Sequence, residues 1–125
     1  MIVAVGVDSV AIARIDGLWR RGGARFTARV LTPRERAYCE ARALPAESIA
    51  ARFCAKEAVM KCLGTGWAHG IGFLQIELLR DPAGALQVAL DGAAAARAAA
   101  LGIRRWHASV THTADTATAF VVAEH

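Results

Sequence analysis

The chain has 125 residues and a mass of 13.2 kDa, room for one domain with a single modest core. Hydrophobic residues make up 55% and charged residues 21%, which buries enough apolar surface to fold and excludes extended disorder. A net charge of +4 is too small a surplus to name a partner. The pI near 9.5 would suit nucleic acid, but aromatics are only 6% of the chain and form no aromatic-basic recognition block, so no nucleic-acid partner is expected.

The first apolar run, Met1 to Val7, has no basic leader and is cut off by Asp8, so it reads as neither a secretory signal nor a membrane span. A cytoplasmic protein with no membrane partner is expected. Ile2 to Val7 is short, β-branched and apolar, the pattern of a buried strand with Asp8 at its carboxyl end. Ile12, Ile15, Leu18 and Trp19 recur at helical spacing and predict an amphipathic helix ending near Gly22 and Gly23. From Arg14 to Arg42 eight arginines stand against three acids, Asp16, Glu35 and Glu40, leaving the rest of the chain at minus one. One segment carries the positive field.

Thr32 as a cap, Pro33 at the first helical position and Glu35 predict a second, shorter helix. A third is predicted from about Pro45 to Leu63, with Gly64 as its stop. The pattern then changes to period two. Gly72 to Arg80 and Leu86 to Leu90 flank Asp81-Pro82-Ala83-Gly84 and predict a hairpin. Ala93 to Ala100, opened by Asp91 and Gly92 and closed by Gly102, predicts a short helix. Arg105 to Thr111 alternates, with Trp106, Ala108 and Val110 on one face and His107, Ser109 and Thr111 on the other. Thr116 to Ala123 makes a final strand. This order predicts a single α+β domain over residues 1–125, a mainly antiparallel sheet packed against a long helix. Cys39, Cys54 and Cys62 are odd in number with no C-x-x-C pair, so they read as reduced core or helix residues rather than a disulfide framework or zinc knuckle.

Chemistry concentrates in the third helix, which holds Arg52-Phe53-Cys54-Ala55-Lys56-Glu57-Ala58-Val59-Met60-Lys61. Glu57 and Lys61 are four apart and share a helical face, either as a surface ion pair or as a carboxylate for a metal and a lysine for a phosphate. Gly64-Thr65-Gly66 lets backbone amides approach an anion, or simply terminates the helix; it is not a Walker motif. Asp8 is a ligand candidate as a strand-end carboxylate, or a turn former. Two carboxylates from separate segments suit Mg²⁺, a hard cation that keeps several waters. His107, Ser109, Thr111 and His112 offer hydroxyls and imidazoles to a nucleotide or phosphate, as would a plain exposed strand face. No G-x-S-x-G elbow is present, which removes a serine hydrolase of that kind.

Taken together, Val5-Gly6-Val7-Asp8-Ser9-Val10, Arg25-Phe26-Thr27-Ala28-Arg29-Val30-Leu31-Thr32 with Glu35, the Arg52 to Lys61 block with Gly64-Thr65-Gly66, Ile76-Glu77, and His107-Ala108-Ser109-Val110-Thr111-His112 stand in one characteristic order. The chain resembles, end to end, the small holo-acyl carrier protein synthases of the 4'-phosphopantetheinyl transferase superfamily. The resemblance implies transfer of the phosphopantetheine arm of coenzyme A to a serine of an apo acyl carrier protein, with release of adenosine 3',5'-bisphosphate. It implies that Asp8 and Glu57 hold Mg²⁺ against the pyrophosphate, that Glu57 or a water takes the serine proton, and that Lys61 neutralises the leaving phosphate. Arg52, Lys61, Gly64, Thr65 and Gly66 would line the coenzyme site, with His107, Ser109, Thr111 and His112 reaching it from a neighbouring subunit of a homotrimer. Arg14, Leu18, Arg21, Arg25 and Phe26 match the helix and following loop that dock the acidic carrier.

The chain departs from the family pattern at Cys54, where alanine is common, at Gln75, where aspartate is frequent, and at Ala11, which replaces a common glutamate. Val10 stands where larger, two-halved relatives carry a further carboxylate, which favours the small trimeric group. The loop Trp67-Ala68-His69-Gly70 is not diagnostic. A non-catalytic module that holds coenzyme A or an acidic protein is the alternative reading; the presence of Asp8, Glu57 and Lys61 together argues against it. Whether the carrier serves fatty-acid or polyketide synthesis is open at this stage.

Overall fold

Strand β1 (Ile2–Ala11) leads directly into helix α1 (Ile12–Gly22), and α2 (Ala24–Val30), α3 (Pro33–Glu40) and the 19-residue α4 (Pro45–Leu63) follow. A 3₁₀ turn (Phe73–Gln75) precedes the hairpin of β2 (Ile76–Arg80) and β3 (Leu86–Leu90), and then come α5 (Gly92–Ala100), β4 (Arg105–His112) and β5 (Thr116–Glu124). The structure, a computed structural model, describes residues 1–66 and 68–125; Trp67 of the undiagnostic loop lies outside the described residues. The main sheet runs β1-β5-β4, antiparallel throughout, and β2 pairs with β3 in a separate antiparallel ribbon. This is the α+β arrangement expected. No helix among the described residues is long and apolar enough to cross a membrane.

Helix α4 is the centre of the core. Ile49, Ala50, Cys54, Ala55, Ala58, Val59 and Leu63 are fully buried along it, all round its circumference. On one side it packs the inner face of the sheet, where Ala117, Ala119, Val121 and Ala123 alternate inward from β5. The two elements approach so closely that a Cβ on Gly6 would lie 2.1 Å from the carbonyl oxygen of Ala58, so only glycine fits at this crossing. Two residues further along the same face of β1, Asp8 arrives beside the last turns of α4.

Two expectations need correction at β1. The strand continues through Ala11, so Asp8 is an interior residue and not its carboxyl end. Nor is it buried on both sides: Val5 and Val7 are 56% and 53% exposed, and with Ile2 and the 49% exposed Phe120 of β5 they form an open apolar face. A continuous apolar run predicts burial on both faces, but one chain supplies a layer for only one of them.

Elsewhere the boundaries differ modestly. Ala24–Val30 is helical, where a loop was expected after α1, because Gly23 at φ 53° turns the chain and lets a new helix start without a side-chain cap. The strand expected from Gly72 begins at Ile76, after the 3₁₀ turn. Thr32 and Glu35 make a complete capping box at α3, and the three cysteines are free and buried.

A buried ion pair joins these pieces. Lys56 and Glu35 are both fully buried, with Lys56 Nζ 2.5 Å from Glu35 Oε1. Lys56 Nζ also donates to the carbonyls of Val30 (2.6 Å) and Phe73 (3.1 Å), while Glu35 accepts from the amides of Thr32 and Leu78 (2.8 Å each). The network is fully hydrogen-bonded, the condition under which buried charge is tolerated.

Candidate active site

The inward alternation of β1 and the last turns of α4 bring Asp8 and Lys61 together. Lys61 Nζ donates to the carbonyl oxygen of Val7 (2.8 Å) and to Asp8 Oδ1 (3.2 Å). The lysine thus reaches across to β1, whereas the sequence spacing offered Glu57 as its helical partner. Glu57 lies one turn earlier on α4 and is half-buried. Asp8 and Glu57 also act on a common neighbour: burial, then the charge of Asp8, then that of Glu57 push the Cys54 thiol up to about 12. Cys54 lies within the field of both carboxylates. Its Sγ donates to Ala117 O at 3.3 Å, so this thiol is a neutral packing group at physiological pH.

The end of α4 supplies the next part. Gly64 adopts φ 73° as a left-handed C-cap and Gly66 φ 55°, both conformations that favour glycine, and the chain turns away with exposed backbone at Gly64. Arg97 of α5, which sequence reasoning did not single out, donates from Nε to Leu63 O (3.0 Å) and stands beside Gly64. Two cations, Lys61 and Arg97, thus flank the carboxyl end of the helix.

The donor set at Asp8 and Glu57 fits a hydrated divalent ion. Asp8 and Glu57 come from different elements and are both only partly buried, and an ammonium already neutralises Asp8. No three His, Cys, Asp or Glu side chains converge into a metal cage among the described residues. A site with two protein ligands and several waters is of a different kind.

A second cluster lies apart from the first. A cavity of about 680 Å³ is lined by Tyr38, Arg42, Glu47, Arg52, Arg80, Thr111 and His112, and by none of Asp8, Glu57 or Lys61. Arg52 is only 4% exposed, its guanidinium stacks on Tyr38 at 4.4 Å, and its Nε and Nη2 have no hydrogen-bond partner among the described residues. A buried guanidinium with unused donors, in a cavity shared with two more arginines, is an anion site in its chemistry. His112 Nδ1 donates to Thr113 O (3.2 Å) and lies 3.6 Å from Glu47. His107 and Ser109 do not line this cavity; both project from the outward face of β4, where His107 Nε2 meets Glu124 at 3.1 Å. That contact, with Arg105 as the second cause, holds the Glu124 carboxyl below its ordinary range.

The expected docking residues are contiguous. Arg14, Leu18 and Phe26 line an apolar groove of about 610 Å³ with Phe53, Phe73 and Leu74. Arg21 and Arg25 border an adjoining depression that shares Leu18, Phe26 and Arg29. Arg14 lies over the Phe53 ring at 5.7 Å.

Comparisons with known proteins show the family. The family model of the 4'-phosphopantetheinyl transferase superfamily matches residues 4–121. The chain is 48% identical over 124 residues to the holo-[acyl-carrier-protein] synthase of Solidesulfovibrio magneticus, and 49% identical over 124 residues to that of Nitratidesulfovibrio vulgaris; each alignment covers 99% of both proteins. Among solved structures, the holo-[acyl-carrier-protein] synthase of Neisseria meningitidis superposes with a TM-score of 0.89 at 36% identity over 100% of both chains. The Helicobacter pylori enzyme, solved in complex with coenzyme A, gives 0.85 at 32% identity, covering 97% of this chain and 100% of its own.

Proposed function

The chain belongs to the 4'-phosphopantetheinyl transferase superfamily, and from that premise we propose that it is a holo-acyl carrier protein synthase. The serine hydroxyl of an apo carrier attacks the β-phosphorus of coenzyme A, the pyrophosphate P–O bond breaks, and adenosine 3',5'-bisphosphate leaves. The observation that carries this reading is the meeting of Asp8 and Lys61 beside Glu57, immediately before the glycine turn.

Mg²⁺ held by Asp8 and Glu57 would supply the charge that neutralises the pyrophosphate. Lys61, the ammonium that balances Asp8 here, would pair with the leaving phosphate. Glu57, directly or through a water, accepts the serine proton. Gly64, Thr65 and Gly66 offer the backbone close to the coenzyme, and Arg52 offers its unused guanidinium donors to a phosphate in the arginine-lined cavity.

Because that cavity and the carboxylate pair do not meet within one chain, the reading calls for a second copy. The open apolar face of β1 and β5 suits such a contact, and a homotrimer would bring Thr111 and His112, with His107 and Ser109 at the seam, towards a neighbour's Asp8. Three free, buried cysteines suit a reducing compartment, here the cytoplasm. Arg14, Leu18, Arg21, Arg25 and Phe26 dock the acidic carrier, with apolar contacts in the groove and arginines on its rim. Arg14→Glu is expected to raise the carrier KM several-fold, and added salt to weaken carrier binding; an unchanged KM would contradict the docking assignment. The transfer itself is tested by Mg²⁺-dependent mass gain of apo carrier protein in the presence of coenzyme A.

A further inference from the structure

Lys56 lies beneath the apolar groove, one turn after Phe53 on α4, and is fully buried. Its ammonium donates to Val30 O (2.6 Å), at the end of α2, and to Phe73 O (3.1 Å), at the start of the 3₁₀ turn. Both residues line the groove that also holds Arg14, Leu18 and Phe26, one from α2 and the other from the 3₁₀ turn. α2 and the 3₁₀ turn are short and lie 43 residues apart in sequence at Val30 and Phe73, and Lys56 Nζ bonds to the main chain of both. The remaining bond, to Glu35, anchors the ammonium to α3. Two of the three ammonium donors thus go to the backbone of the groove and one to Glu35.

We propose that Lys56 is a positioning residue for carrier recognition: by tying α2 to the 3₁₀ turn it fixes the width of the groove into which the acidic carrier protein sets an apolar side chain. This rests on the docking assignment made above and adds to it a residue that the carrier never touches. The bridge constrains the groove walls while Asp8, Lys61 and the glycine turn are held by other contacts, so its loss falls on carrier binding rather than on the chemical step.

The test compares Lys56→Met, Glu35→Gln and Arg14→Glu in steady-state assays that vary carrier and coenzyme A separately. Glu35→Gln keeps the bridge, because an amine or an ammonium carries enough N–H donors for both carbonyls. The expected result is a carrier KM raised about tenfold in Lys56→Met, of the size of one lost anchoring contact, with kcat and the coenzyme A KM within about twofold of wild type. Glu35→Gln should leave the carrier KM unchanged despite lower stability. Should Lys56→Met not fold, Glu35→Met/Lys56→Met, which leaves no unpaired buried charge, carries the same expectation. An unchanged carrier KM, a loss confined to kcat, an equal rise in Glu35→Gln, or a double variant that does not fold would overturn the proposal. If Arg14→Glu still raises the carrier KM in that case, the docking assignment stands alone; if Arg14→Glu has no effect, the docking assignment fails and takes this inference with it.

Discussion

Removing Asp8, Glu57 or Lys61 should cost activity without costing the fold, because Lys61 is exposed and Asp8 and Glu57 are only partly buried. Each alanine variant is expected to lose on the order of 10²- to 10³-fold in kcat/KM, the scale of removing one group that stabilises transition-state charge, while circular dichroism stays native. The thiols make a prediction of another kind. Burial pushes Cys54 up to about 12 and Cys62 to about 11, against an ordinary value of 9.0. Raised folded-state values mean that this contribution to stability is complete below pH 9 and is lost as pH rises towards the folded values, since the unfolded chain releases its thiol protons first. Denaturant midpoints measured across that window should fall, and fall less steeply in Cys54→Ala; equal slopes would contradict the assignment. Candidate site residues stood out in sequence where a motif carried them, as with Asp8, Arg52 and Lys61. Lys56 and Glu35 were not, because charged residues belong by default to the surface, and only the structure reveals two of them sealed together.

The contact between β1 and α4 is the element on which the site depends. Gly6→Ala would drive a methyl into Ala58 O, and the overpacking is expected to cost about 1–3 kcal/mol, with a drop in activity because Asp8 rides on the same strand. Thermal melts and kcat/KM together check this; a stable, fully active Gly6→Ala would show that the crossing tolerates more room. The cap of α3 is smaller in effect: Thr32→Ala should cost about 1 kcal/mol through the capping box. The start of α3, marked by a capping threonine and a proline, and the span of α4, marked by a proline and a glycine stop, were legible in sequence. α2 was not, because it starts from Gly23 with no capping side chain.

In the proposed homotrimer the open apolar face of β1 and β5 lies against another copy of the chain. Val7→Asp or Phe120→Asp should split the oligomer, read by light scattering, and activity should fall with it, since the arginine-lined cavity and the carboxylate pair sit apart in a single chain. An active monomer would contradict the shared site. The proposed reaction needs the carboxylates and the lysine to work with a divalent cation on coenzyme A. The direct measurement is the mass of apo acyl carrier protein after incubation with coenzyme A and either wild type or Glu57→Ala, with and without Mg²⁺. The wild type should add one phosphopantetheine only when Mg²⁺ is present, and Glu57→Ala almost none; full modification by Glu57→Ala, or by wild type stripped of divalent ions, would contradict it.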